Sequence, residues 1–188
     1  MTTQKSTRPA KPPRPGRKGL VQIFTGDGKG KTTAALGTAL RALGHDMKVF
    51  VAVFMKGDYP YGEWEALARF PNITIARFGF RTFTDPKSVK PEEREQARLA
   101  LTAARDAMLS GDYDLVVLDE VNVAVGFELI PVDDVVALIN ERPSPVELIL
   151  TGRRANQKLV DLADLVTECV KVKHPFDKGT RARPGIEY

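Results

Sequence analysis

The chain has 188 residues, 43% hydrophobic and 28% charged, the balance of an ordinary globular protein with room for one sizeable core and not two. Its longest strongly apolar run, Val49 to Met55, is seven residues, far below the ~20 a bilayer demands, and no apolar leader segment precedes the first strand. The net charge of +4 is local: residues 1–18 hold six basic residues and no acid, leaving 22 basic residues against 24 acidic ones and a net −2 in the rest, which argues against a nucleic-acid binder.

The first 18 residues also carry Pro9, Pro12, Pro13 and Pro15, and no large apolar residue after Met1. Such a stretch buries too little surface to offset its chain entropy, so a disordered basic tail is expected over 1–18, with the folded domain over 19–188. Leu20 to Phe24 reads as a strand, Lys31 to Leu43 as a helix closed by Gly44, and Met47 to Phe54 as an almost wholly apolar second strand. A short helix over Trp64–Phe70 and a strand over Asn72–Phe78 follow. Pro91-Glu92-Glu93 opens a helix, because proline suits the first helical position and acids suit the positive end of the dipole. Ala97, Leu101, Ala104 and Met108 recur at helical spacing until Ser110-Gly111. Leu115–Leu118 is a strand, Val132–Asn140 a helix, Val146–Leu150 a strand, Asn156–Ala163 a helix and Leu165–Val172 a last strand. Strands alternating with helices predict an α/β fold whose mostly parallel sheet carries helices on both faces, and continuous apolar runs suit strands buried on two sides. The single cysteine, Cys169, excludes an intramolecular disulfide or a multi-cysteine zinc site and suits a reducing, cytoplasmic compartment.

The strongest chemical signal is Thr25-Gly26-Asp27-Gly28-Lys29-Gly30-Lys31-Thr32-Thr33, placed between a strand and a helix. Glycines let backbone N–H groups curve around phosphate oxygens, and the following helix adds its positive N-terminus. Lys31 supplies a cation to the phosphates, Thr32 a hydroxyl to a phosphate-bound Mg²⁺, and Lys29 a second cation. The pattern departs from the common phosphate loop in having Thr25 where the first glycine is expected. The second signal is Leu115-Val116-Val117-Leu118-Asp119-Glu120, an apolar strand ending in two acids. In phosphate-loop proteins an acid at this place approaches the metal, and carboxylate and hydroxyl oxygens suit hard Mg²⁺. With Thr32 they form the expected metal set, with either acid able to take the direct role.

Taken with their order and spacing, these blocks resemble the P-loop ATP:corrinoid adenosyltransferases. The resemblance covers about Gly19 to Tyr188. It rests on the loop through Ala34-Ala35, on Phe54-Met55-Lys56-Gly57 with Gly62-Glu63, on Asp119-Glu120-Val121-Asn122, and on Leu150-Thr151-Gly152-Arg153. Asp164-Leu165-Val166-Thr167-Glu168 and the stretches Lys173-His174-Pro175-Phe176 and Gly185-Ile186-Glu187-Tyr188 extend it. It implies a RecA-like fold, a homodimer, and attack of a corrinoid's Co(I) on the 5′ carbon of ATP with release of tripolyphosphate. It also implies an electron donor for Co(II), such as a flavoprotein, and no nucleic-acid or membrane partner. Lys31 and Glu120 are then the catalytic candidates. Gly26, Asp27, Gly28, Lys29, Gly30, Lys31, Thr32, Thr33, Lys56, Glu63, Phe80 and Arg153 are the binding candidates. Co(I) is a very strong nucleophile, so no Ser-His-Asp or Cys-His constellation is required, and two histidines with one cysteine suggest none. Charge stabilisation of the leaving group falls to backbone amides, Lys29, Lys31 and Mg²⁺.

Three departures lie on the corrinoid side. Thr82 stands two residues after Phe80, where the family commonly has tryptophan, and Phe83 follows it. Arg154 stands where glycine is common, and Gly179–Pro184 differs from the family's small, glutamine-containing stretch. In the family, aromatic side chains near Phe80 press on the lower corrin face and exclude cobalt's axial ligand, which eases reduction to Co(I). Arg153 and Arg154 suit a phosphate, a corrin carboxamide or solvent equally. His174 reads as a hydrogen-bonded structural histidine, His45 as surface and Trp64 as core. The competing functions are hydrolysis or transfer at the γ-phosphate, a nucleic-acid motor anchored by the basic tail, and an ATP-dependent corrinoid carrier. Product identity separates the first from adenosyl transfer: phosphate rather than tripolyphosphate.

Overall fold

The structure, a computed structural model, describes residues 18–188, so the expected tail lies outside the described residues apart from Lys18. Among the described residues, six strands form one sheet: β1 (Val21–Thr25), β2 (Val49–Val53), β3 (Ile73–Arg77), β4 (Leu115–Asp119), β5 (Glu147–Thr151) and β6 (Leu165–Glu168). Their order is β3-β2-β4-β5-β1-β6, and every pairing is parallel. The helices that accompany them are α1 (Lys31–Leu43), α2 (Gly62–Leu67), α3 (Pro91–Leu109), α4 (Val121–Gly126), α5 (Val132–Glu141) and α6 (Gln157–Leu162). A short 3₁₀ turn covers Pro175–Lys178. This is the α/β architecture expected from the sequence, a parallel sheet with helices on both faces.

The two sheet faces follow from side-chain alternation. Val49, Val51 and Val53 of β2, with Leu115 and Val117 of β4, pack under Ala35, Ala39 and Leu43 of α1 and Trp64 of α2. Phe50 and Ala52, with Val116 and Leu118, face Ala97, Ala100, Ala104 and Met108 of α3 and Val135 and Leu138 of α5. All five residues of β2 and of β4 are buried, which is why their sequences are continuous apolar runs rather than alternating ones.

Two expectations are corrected. The last strand ends at Glu168 rather than Val172, and its four residues are exposed; as the edge strand it has a ladder partner on one side only. A short helix, α4, follows the acid pair where none was predicted. Its sequence VNVAVG is rich in β-branched residues that favour strands, but Val121 and Ala124 are fully buried beneath the sheet, so tertiary packing overrides propensity. Elsewhere boundaries shift by a few residues; the short helix runs Gly62–Leu67 rather than 64–70.

Candidate active site

In an open parallel sheet the loops after the strands gather at its carboxyl edge. Here β1 delivers the glycine-rich loop, β2 the Met55-Lys56-Gly57 turn, β4 the acid pair and β5 the Thr151-Gly152-Arg153 segment. The register sets Leu118 beside Leu150, Val53 beside Asp119 and Phe24 beside Thr151. Strand β5 therefore lies between the phosphate-loop strand and the acidic strand, and Thr151 fills the gap between them.

Asp119 is completely buried, as is Thr151. Its Oδ1 accepts from Thr32 Oγ1 at 2.8 Å and from Thr151 Oγ1 at 2.7 Å, and its Oδ2 from Lys56 Nζ at 2.7 Å. The Glu120 N–H donates to Thr151 Oγ1 at 2.9 Å. Glu120 itself adopts left-handed backbone, φ 67°, which ends β4 and turns its carboxylate toward Lys56 at 3.4 Å. Of the two acids, Glu120 is the one with accessible side-chain surface, 22% against 0% for Asp119. Burial raises the pKa of Glu120, with Asp119 adding to the rise and Lys56 opposing it. Burial works against the charge on Lys56, but Asp119 and Glu120 outweigh it and raise its pKa.

The loop is fastened from outside. Its departure at Thr25 has a structural role, since Thr25 Oγ1 accepts the Ala155 N–H at 3.1 Å and ties the loop to the segment after β5. Gly28 donates its N–H to the Cys169 carbonyl at 2.6 Å, so that amide is committed to the protein rather than available to phosphate. A Cβ on Gly26 would stand 2.5 Å from the same carbonyl, and one on Gly28 at 2.6 Å; these two glycines serve close approach to the chain after β6. The N–H groups at the start of α1 lack intrahelical acceptors by geometry, and Lys31, Thr32 and Thr33 line a cavity there. Lys31 is buried, with Nζ on the Gly28 carbonyl at 2.7 Å; burial lowers its pKa, opposed by Glu120.

Two cavities open here. One, of about 740 Å³, is lined by Gly28 to Thr33, Glu63 and residues 185–188. The other, of about 580 Å³, is lined by Tyr59, Phe80, Thr82, Phe83, Phe127 and Arg154 among others. Lys56, Tyr61, Glu120 and Arg153 line both, so the cavities meet at Glu120, the accessible member of the acid pair. Both volumes fall in the usual range for small-molecule sites.

Most predicted site residues therefore converge. Gly26 and Asp27 line neither cavity, and Asp27 is exposed. Lys29 lies at the mouth, but its Nζ contacts the Ile186 carbonyl at 2.7 Å and Glu187 at 3.1 Å. Trp64 is core as expected, and His174 Nδ1 accepts the Phe176 N–H at 3.2 Å while its side chain lines the first cavity. The sequence reading missed three parts. Thr151 is one, named only inside a block of the resemblance and given no role; its signal is a polar residue closing an apolar strand, as Asp119 does. Tyr59 and Tyr61 are another, their rings tilted against each other at 4.8 Å beside Phe83 at 6.4 Å from Tyr59; their signal is two aromatics in a Gly-Asp-Tyr-Pro-Tyr-Gly loop. Residues 185–188 were noted only as part of a resemblance.

The family described as "ATP:corrinoid adenosyltransferase BtuR/CobO/CobP" matches residues 17–188. The chain belongs to this adenosyltransferase family. It is 39% identical over 171 residues to a corrinoid adenosyltransferase of Escherichia coli K12, spanning 91% of this chain and 86% of that protein. A corrinoid adenosyltransferase of Salmonella typhimurium is 39% identical over 173 residues, with the same coverage. Among solved structures, the cytoplasmic domain of EssC shares 16% identity and a TM-score of 0.51 over 88% of this chain and 34% of that one, a likeness of fold alone. No helix among the described residues of this adenosyltransferase family member is long and apolar enough to cross a membrane.

Proposed function

We propose that this protein transfers the 5′-deoxyadenosyl group of ATP to the Co(I) centre of a corrinoid in cobalamin metabolism. The carrying observation is the shared wall: a phosphate-loop cavity and an aromatic, largely apolar cavity meet at Lys56, Tyr61, Glu120 and Arg153. Adenosyl transfer needs that adjacency, because the reacting carbon joins the triphosphate to the nucleoside and must face the corrinoid. The cobalt of the substrate donates an electron pair to C5′, the Co–C bond forms, the C5′–O bond breaks, and tripolyphosphate leaves with that bond's electrons. Lys31 and the free amides at the start of α1 bind the polyphosphate and stabilise its charge. Phe80, with Phe83, Tyr59 and Phe127 nearby, offers apolar surface to the corrin.

The oxygen donors fit Mg²⁺. Thr32 Oγ1, Asp119 and Glu120 lie within one cluster, and Mg²⁺ favours one or two carboxylates completed by substrate phosphates over an all-protein cage. When bound there, Mg²⁺ would neutralise charge on the leaving polyphosphate. Glu120, the accessible acid, is the direct ligand in this reading, and buried Asp119 orients Thr32. The family resemblance supports a flavoprotein electron donor, a homodimer and a cytoplasmic setting.

The test is anaerobic incubation with ATP, Mg²⁺ and chemically reduced cobalamin. A light-sensitive Co–C bond appears in the absorption spectrum and tripolyphosphate accumulates in equal amount. Release of orthophosphate without a Co–C bond would instead assign the site to γ-phosphate chemistry.

A further inference from the structure

Lys56 leaves β2 in a turn that the surrounding backbone holds tightly. Met55 has φ 60° and Gly57 φ 33°, so positive-φ residues flank Lys56, a conformation costly for a non-glycine residue such as Met55. A Cβ on Gly57 would stand 2.8 Å from the Gly79 carbonyl oxygen, and one on Gly79 only 2.7 Å from Met55 Cα. The Gly57 N–H also donates to the Phe78 carbonyl at 3.1 Å. The turn is thus seated against the strand end that leads into Phe80, and it sends the Lys56 side chain back over the carboxyl edge of the sheet.

Its ammonium rests among the oxygens assigned above to the metal: 2.7 Å from Asp119 Oδ2, 3.4 Å from Glu120 Oε1 and 3.5 Å from Thr32 Oγ1. Asp119 has no exposed surface, and a fully buried carboxylate requires a partner charge or donors. Two carboxylates with one ammonium leave the cluster a single net negative charge. A divalent ion entering beside Lys56 would compete for Asp119 and Glu120 and would be repelled by the ammonium. Polyphosphate changes that balance, since it brings several negative charges that can receive both the metal and a displaced ammonium. Lys56 lines the nucleotide cavity, so its side chain can turn to polyphosphate without leaving the site.

We propose that Lys56 is the resident counter-cation of the acid pair, exchanged for the divalent metal when the metal–nucleotide complex enters, and that it thereby makes metal binding conditional on nucleotide. The proposal rests on the reading of Thr32, Asp119 and Glu120 as the metal's oxygens. The competing account is that Lys56 is a fixed structural partner of Asp119 with no bearing on the metal. Both accounts predict destabilisation when the ammonium is removed, so stability alone does not separate them.

Nucleotide-free Mn²⁺ binding separates them, read from the electron paramagnetic resonance of the free ion with the full chain. Wild type and Lys56→Arg should bind Mn²⁺ weakly without nucleotide, whereas Lys56→Met should bind it at least about 10-fold more tightly, because a repelling charge has left the cluster. Added Mn²⁺ should also raise the depressed melting temperature of Lys56→Met and leave that of wild type unchanged, as expected of a ligand that binds only the folded variant. Lys56→Gln repeats the measurement with a polar side chain should the methionine variant fold poorly. Equal nucleotide-free Mn²⁺ affinity in wild type and both neutral variants would overturn the proposal and leave Lys56 a fixed structural partner. So would wild type binding Mn²⁺ as tightly without ATP as with it. The metal reading itself is checked in the same titration with ATP present. If Glu120→Gln does not weaken Mn²⁺ binding there, the metal assignment fails, and the exchange proposal fails with it.

Discussion

Thr151→Val isolates the residue that joins the loop strand to the acidic strand. The change keeps the shape of the side chain and removes only its hydroxyl, which donates to Asp119 Oδ1 at 2.7 Å and accepts the Glu120 N–H at 2.9 Å. A hydrogen bond to a charged group contributes roughly 1.5–3 kcal/mol, and a buried donor left unpaired costs about 1–3 kcal/mol. Asp119 keeps Thr32 and Lys56 as partners, so the low ends apply and the expected loss is about 2.5 kcal/mol. For a protein of this size that lowers the melting temperature by roughly 5–10 °C. Thr151→Ser retains the hydroxyl and should lose no more than about 1 kcal/mol, the value of a buried methyl-sized group. Ligand-free thermal and urea unfolding measure both variants. Combining Thr151→Val with Asp119→Asn should cost less than the sum of the separate changes, because both act on one contact. A valine variant within about 0.5 kcal/mol of wild type, or a serine variant no better than valine, would refute the bridging role.

Lys31→Ala should lower kcat/KM by at least about 100-fold, some 2.7 kcal/mol, by removing the buried loop cation beside the polyphosphate; steady-state kinetics giving near-wild-type values would dismantle the phosphate-loop assignment. Glu120→Gln keeps size and fold and removes the accessible carboxylate, so the Mg²⁺ dependence of turnover should shift to higher concentration; an unchanged midpoint and rate would remove Glu120 from the metal site. Phe80→Ala should slow turnover from Co(II) supplied with an enzymatic reductant more than turnover from Co(I) made chemically beforehand, at matched ATP. Equal losses in the two assays would mean that Phe80 contributes packing or binding only. Hydrogen bonds from Arg183, with Lys29 adding to them, hold the Glu187 carboxyl down to about 2. A depressed carboxyl keeps its contribution above its ordinary pKa and loses it as pH falls through the depressed one. The contacts of residues 183–187 should therefore persist from neutral pH through ordinary carboxylate titration and weaken only as pH approaches about 2; a carboxyl resonance titrating at the ordinary glutamate value would contradict this.

The alternation of apolar strands with amphipathic helices determined the α/β class, because burial on two faces demands continuous apolar strands and short helical crossovers between them. The loop from Gly26 to Thr33 and the acids after Leu118 were legible for a local reason: phosphate and metal chemistry constrain residue types within a few positions. Strand order was not legible, and with it went Thr151, whose role exists only because β5 is inserted between β1 and β4. The α4 helix was hidden by its valines, since burial of Val121 and Ala124 outweighs a local preference for strand. Gly28 and Lys29 read as phosphate ligands in the linear pattern, which shows nothing of their contacts with distant chain: the Gly28 N–H donates to the Cys169 carbonyl after β6, and the Lys29 ammonium reaches residues 186–187. Lys56 lies 63 residues before Asp119 and carries no local sign of an ion pair. Its place among the oxygens is decided by the parallel register that sets Val53 beside Asp119 and by the glycine-to-backbone packing that turns the chain after β2. Sequence alone thus determined which chemistry the chain can support, through constraints acting over a few residues, while contacts between distant segments decided which groups are free to perform it.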